Sequence, residues 1–123
     1  MPIDMLKFDM AQVHVDLNES DDLIFAFEIL GKKWNAVIID VLYQTDCRFS
    51  EIASAITGIS DRVLTVRLQE LEQEQIIMKS THNFGKAKFT YKLTKKGFEL
   101  AKEVQNIKKW SSRWRKDNDG NVN

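Results

Sequence analysis

The stretch ISDRVLTVRLQELEQ, residues 59–73, decides the fold. Ser60 stands directly before an apolar-periodic run, the place of a helix N-cap, and Asp61 sits near the positive end of the helix dipole. At about 3.6 residues per turn, Leu64, Leu68 and Leu71 share one face. Arg62, Val66, Gln69 and Gln73 share the opposite face, with Thr65 at its edge. Arginine can fork onto guanine, glutamine can pair with adenine, and a small apolar side chain can meet the thymine methyl. A merely solvated helix has a similar outer face, so the neighbouring segments must decide between the two.

Immediately upstream, residues 49–56 read as a short helix in which Phe49, Ile52 and Ile56 line up; Ser50 is one candidate for its N-cap. The turn Thr57-Gly58-Ile59 then leads into the helix from Ser60. Two helices joined by so short a turn containing glycine make a helix-turn-helix. Downstream, 76–81 and 88–93 read as strands around the turn residues Asn83-Phe84-Gly85-Lys86. Phe89, Tyr91 and Leu93 alternate inward, while Lys88 and Lys92 alternate outward. A basic hairpin directly after a helix-turn-helix is a wing, with cations suited to phosphate.

Outward from this centre, residues 33–44 form a helix with Trp34, Val37, Ile38, Val41 and Leu42 as its buried stripe. Before it, Ser20 opens a helix that Gly31 terminates, and Leu23, Ile24, Phe25, Ala26, Phe27, Ile29 and Leu30 leave it almost no polar face. Such a helix needs cover on all sides; in so small a domain a second subunit supplies part of it, or else burial within one chain does. Thr94 caps a last helix of about twenty residues, whose stripe is Leu100, Val104, Ile107, Trp110 and Trp114. Residues 1–19, with Val13, Val15 and Leu17 around His14 and Asp16, read as an arm or short strand. Residues 117–123, DNDGNVN, read as a disordered tail.

The chain has 123 residues, enough for one domain with a real core at 43% hydrophobic content. No apolar run approaches a membrane span and the N-terminal residues lack signal-peptide character, so a cytoplasmic protein without a membrane partner is expected. The net charge is zero, but unevenly distributed. Residues 1–58 hold four Lys/Arg against ten Asp/Glu, and residues 59–116 hold fourteen against six. A basic C-terminal half is the electrostatic footprint of an anionic partner. No phosphate-cradling glycine loop, HExxH motif or Cys/His cluster of metal spacing occurs, which argues against an enzyme, a bound metal or a cofactor. His14 and His82 stand apart, and Cys47 is the single cysteine.

These segments resemble the HxlR-type winged-helix transcription regulators, a branch near the MarR-like group. The matching pieces are EILGKKW (28–34), RFSEI (48–52), GISDRVLTVRL (58–68), ELE (70–72), YKLT (91–94) and Gly97. The resemblance spans about residues 20–114 in order and with similar spacing. It implies a mainly α domain (20–116) with a small β-hairpin, a winged helix-turn-helix whose extra N- and C-terminal helices dimerise. It further implies a homodimer on double-stranded DNA, at an operator with two half-sites. The chain departs from the family in three places. The family's cysteine before the first long helix is Asp21 here, the glycine after the recognition helix is Gln75, and the wing lacks proline. A left-handed cap at Gln75 is therefore expected to be strained or absent. Cys47, beside Arg48 and ahead of a helix, reads as a buried thiol, with a sensing role as the alternative.

Recognition helix 60–73 is expected in the major groove and wing 77–93 on the backbone or minor groove. Arg62 is the first candidate for base readout, followed by Thr65, Val66 and Gln69. Ser60 and Arg67 are expected on phosphate, and Lys86 and Lys88 on backbone or minor groove. Leu23, Phe27, Ile107, Trp110 and Trp114 are expected at the dimer contact. An unidentified small-molecule effector is a further possible partner, in a pocket lined by aromatics such as Phe27, Trp34 or Trp110. The competing reading is a winged-helix module for protein interaction without significant DNA binding.

Overall fold

In the computed structural model, residues 17–84 and 87–115 are described, with side chains described for 21–81 and 89–115. Five helices and one antiparallel hairpin follow in the order α1 (Leu17–Leu30), α2 (Asn35–Gln44), α3 (Phe49–Ala55), α4 (Asp61–Gln73), β1 (Ile77–Phe84), β2 (Ala87–Leu93) and α5 (Lys95–Trp114). This is a winged helix-turn-helix with one helix added at each end. Lys86 and Gly85, residues 1–16 (with His14) and residues 116–123 lie outside the described residues.

One core joins every element. Ile38, Ile39 and Leu42 of α2, Ile52 of α3, and Leu64, Leu68 and Leu71 of α4 are all buried, together with Ile76, Ile77 and Tyr91 of the wing base. Ile29 of α1 and Ala101 and Val104 of α5 close it from outside. In α2 the inward face runs through Asn35, Ile38, Ile39 and Leu42, an i, i+3, i+4, i+7 pattern. Val37, expected in the stripe, is instead 41% exposed, and Ile39 takes the buried position. The stripe is rotated because Asn35 itself is buried: its Nδ2 donates to the Ile29 carbonyl at 2.8 Å, satisfying the end of α1.

Three other boundaries differ from the sequence reading. Helix α1 starts at Leu17, so Ser20 lies within it rather than capping it, and residues 17–19 leave the expected arm. Leu17 and Glu19 are good helix formers, and a cap-type residue does not by itself forbid helix upstream. The N-cap position of α3 is Arg48, not Ser50, and the Glu51 carboxylate accepts from the Arg48 amide at 2.7 Å. The strands run further toward the wing tip than expected, through Phe84 and from Ala87, with a register shift between Thr81 and Phe84.

The hairpin pairs Ile77 with Leu93, Lys79 with Tyr91 and Thr81 with Phe89. A third strip of chain joins it: Cys47 and Tyr91 exchange backbone bonds of 3.1 and 2.7 Å. The wing is thereby fixed to the α2–α3 loop.

Helix α4 ends in a left-handed cap. Gln75 has φ 60, its amide donates to Glu72 O, and the Ile76 amide donates to Leu71 O, both at 2.9 Å. These are the two bonds of a Schellman motif, and Ile76 and Leu71 supply its apolar contact. The cap expected to be strained or absent is present, on a non-glycine residue. Its surroundings explain why: the Thr94 hydroxyl donates to Gln75 O at 2.5 Å, and Lys96 Nζ donates to Glu74 O at 2.7 Å. Removing the Cβ penalty should help. Gln75→Gly is expected to raise unfolding free energy by about 0.5–1 kcal/mol, read as a higher urea midpoint at unchanged slope.

Candidate nucleic-acid interface

The exposed face of α4 follows from how the helix is pinned. Leu64, Leu68 and Leu71 are at most 1% exposed, so the opposite side must face outward. Arg62, Thr65, Val66, Gln69 and Gln73 are all exposed there. Ser60 is the N-cap, its Oγ accepting from the Val63 amide at 3.1 Å. Its own hydroxyl proton remains available to an acceptor such as phosphate, at the end of the helix where backbone amides favour an anion. The Thr65 hydroxyl donates to the Asp61 carbonyl at 2.8 Å. Thr65 can therefore offer a partner a lone pair or a methyl, but not that proton.

Arg67 sits elsewhere. Its position is about 140° around the helix from the direction centred on Arg62, given 100° per residue. Its guanidinium is bonded to Glu70, and Glu70 also accepts from Lys32 Nζ at 3.1 Å. These partners, with Lys32 leading, hold the Glu70 carboxyl below the usual range against a smaller opposing effect of burial. The triad ties α4 to the turn between α1 and α2. Because its folded value is lowered, Glu70 contributes stability above the unfolded carboxylate range and loses it as pH falls through the folded value.

On the wing, Lys79 is exposed, lies 3.9 Å from Glu72 and sits over the Phe89 ring at 4.9 Å. Lys88 falls in β2, but its side chain, like that of His82, is outside the described set. The structure thus brings Arg62, Thr65, Val66 and Gln69 together on one exposed face, sets Ser60 at the helix start and turns Arg67 aside.

Cys47 is 5% exposed, and burial first, then Glu51 and Asp46, push its thiol pKa up. The net direction is upward, with burial leading, despite Arg48 and the start of α3, the features that suggested activation. A raised value keeps the thiol neutral and weakly nucleophilic. Burial, then Glu72, raises Tyr91 in the same sense. For both, the contribution to stability is complete below the unfolded pKa and is lost as pH rises through the folded one. A maleimide or disulfide reagent at neutral pH is expected to modify Cys47 roughly tenfold or more slowly in the native protein than in urea, followed by mass spectrometry. Equal rates would place the thiol in solvent.

At the outer ends, Leu23, Ile24, Phe25 and Phe27 of α1 are 50–61% exposed, and Ile107, Trp110 and Trp114 of α5 are 46–60% exposed. Between these helices and α2 lies an apolar groove of about 520 Å³ that includes Phe27, Val37, Val104 and Ile107. Trp34 and Trp110, proposed from sequence as part of an aromatic pocket, are not among its walls. Asp40 anchors α5 beside it, accepting from Lys108 at 3.0 Å and from Gln105 at 2.7 Å.

The family model described as HxlR-like helix-turn-helix matches residues 29–119. The chain belongs to that family. The HTH-type transcriptional regulator YodB of Bacillus subtilis is 39% identical over 89 residues, covering 72% of this chain and 80% of YodB. The solved reduced form of YodB superposes with a TM-score of 0.66 at 36% identity, over 84% of this chain and 96% of that one. The redox regulator HypR in its oxidised form gives a TM-score of 0.72 at 27% identity, over 78% and 99%. Members of the family are transcriptional regulators rather than enzymes, and this chain is a helix-turn-helix transcriptional regulator. No described helix is long and apolar enough to cross a membrane.

Proposed function

We propose that the chain is a homodimeric, sequence-specific regulator that binds double-stranded DNA at an operator with two half-sites. The observation that carries this reading is the outer face of α4, where Arg62, Thr65, Val66 and Gln69 are exposed on a helix locked by three buried leucines. In the major groove, Arg62 forks onto a guanine edge, Gln69 pairs with a base amide-fashion, and Val66 meets a thymine methyl. Thr65 accepts from a base amino group or packs its methyl. Ser60 donates to phosphate at the helix start. Arg67 acts first on Glu70, so its part in phosphate binding is indirect: it fixes the helix that presents the other residues. Lys86 and Lys88 meet backbone or minor groove from the wing.

The exposed apolar ends of α1 and α5 supply the dimer contact, with Leu23, Phe27, Ile107, Trp110 and Trp114 at its centre. Two tryptophans and several aliphatic side chains outside the core on adjacent helices favour burial in a second copy. A cytoplasmic location fits this role.

YodB has been solved reduced, diamide-treated and quinone-bound, and HypR reduced and oxidised. This chain's cysteine is buried with a raised pKa, and Asp21 occupies the other expected cysteine position. We infer that any control signal acts by a route other than this thiol.

Titration of the duplex upstream of the gene, with a scrambled duplex as control, tests the DNA reading. Lys88→Ala is expected to weaken binding to all sequences alike and to reduce the salt slope by about one. Loss confined to the operator would move Lys88 from the backbone to a base.

A further inference from the structure

The flank of α1 away from Leu23 and Phe27 carries a second cleft, which the DNA face does not use. It measures about 540 Å³ and lies between α1, the α1–α2 turn and the end of α4, with Phe25, Glu28, Lys32, Asn35, Glu70 and Glu74 on its walls. At 100° per residue, Phe25 is about 160° around α1 from Leu23, so a partner seated on the Leu23 side leaves this flank open.

Asn35 is 2% exposed, its Nδ2 is committed to Ile29 O, and its Oδ1 is buried without a hydrogen-bond partner among the described residues. Buried acceptors are nearly always satisfied, so an orphan one on a residue that lines the cleft asks for a donor. An amide oxygen only accepts, so the complementary group must bring N–H or O–H.

Charge narrows the choice. Three glutamates and one lysine line the cleft, and Lys32 is bonded to Glu70. Glu28 and Glu74 are exposed and form no ion pair among the described residues. Phe25 is 50% exposed, and the Lys96 ammonium already sits 5.8 Å from its ring centre, so the ring is placed to attract positive charge. Lys96 is bonded to the Glu74 backbone carbonyl, and the Glu74 carboxylate has no ion pair among the described residues.

We propose that this cleft binds a small organic molecule carrying a primary ammonium. Its N–H groups bond Asn35 Oδ1 and the Glu28 and Glu74 carboxylates, and its carbon skeleton packs on Phe25, Ile29 and Leu71. Such an occupant bridges α1 and the C-terminal end of α4, the helix that presents Arg62. Binding itself is independent of the DNA reading; only control of DNA affinity through the cleft rests on that reading.

The test uses the full chain without DNA, so a failure of DNA binding leaves its outcome intact. Calorimetric titration with n-butylammonium at constant ionic strength is compared with tetramethylammonium, which has the charge but no N–H, and with sodium. Saturable binding of n-butylammonium at one site per chain is expected, weakened about tenfold in the surface double variant Glu28→Gln/Glu74→Gln. Equal responses to all three cations overturn the proposal, as does binding unchanged in the double variant. A water bound to Asn35 Oδ1 with no saturable ammonium binding also overturns it, assigning the orphan acceptor to solvent alone.

Discussion

Replacing Gly97 by alanine is expected to cost at least about 2 kcal/mol of unfolding free energy. Gly97 lies in the first turn of α5, where its amide donates to the Thr94 hydroxyl at 3.0 Å. A Cβ built there would stand 1.9 Å from the Ile76 carbonyl oxygen and 2.9 Å from its carbon. Both are backbone atoms of the capped turn that ends α4, so no side-chain rotation relieves the clash. The helix must instead move off the turn, breaking the Thr94 bonds to Gln75 O and Ile76 O. Alanine's better helix propensity returns only about 1 kcal/mol. Gly58 makes the informative contrast: its φ is +93, but the nearest atom to an added Cβ is Trp34 Cη2 at 3.8 Å. Gly58→Ala therefore carries a backbone cost of about 1–2 kcal/mol without a steric one. Urea unfolding of the two variants checks the pair, and an unchanged midpoint for Gly97→Ala would mean that α5 is not docked on the α4–β1 turn.

The second large effect is on DNA. Arg62→Ala is expected to cost about 1–3 kcal/mol of operator affinity and to relax discrimination at one base position. The side chain is exposed in the first turn of α4, the part of a recognition helix nearest the base edges. Its removal leaves Leu64, Leu68 and Leu71 untouched, so the fold should survive, and the thermal midpoint should stay near that of the parent protein. Unchanged affinity and unchanged sequence preference would show that α4 meets the duplex on another face or not at all.

Much of this was legible in the sequence because local signals agreed with one another. Ser60 and Thr94 cap the helices that follow them, Gly58 occupies the turn, and Tyr91 points into the core. Each depends on residues within a turn or a strand pair. What the sequence hid lies in interactions distant along the chain. Arg67, expected on phosphate, pairs with Glu70, and Lys32, 35 residues upstream of Arg67, joins the same carboxylate. Nothing local in the sequence marks Asn35, which is buried and closes the end of α1 through Ile29 O. Gln75 adopts the left-handed geometry usually given to glycine because Thr94, nineteen residues on, holds its carbonyl. Cys47 is buried, as its sequence reading expects, and burial first, then its sequence neighbours Glu51 and Asp46, raise the thiol.

The most direct test of the central claim is a titration of the duplex upstream of the gene and its scrambled counterpart at two salt concentrations, with stoichiometry measured in the same experiment. The account predicts preferential binding of the upstream duplex by two chains per operator, with affinity falling steeply as salt rises because lysine and arginine displace counterions from phosphate. Absence of binding to either duplex at low salt would contradict it, and would leave the exposed face of α4 to an acidic protein partner.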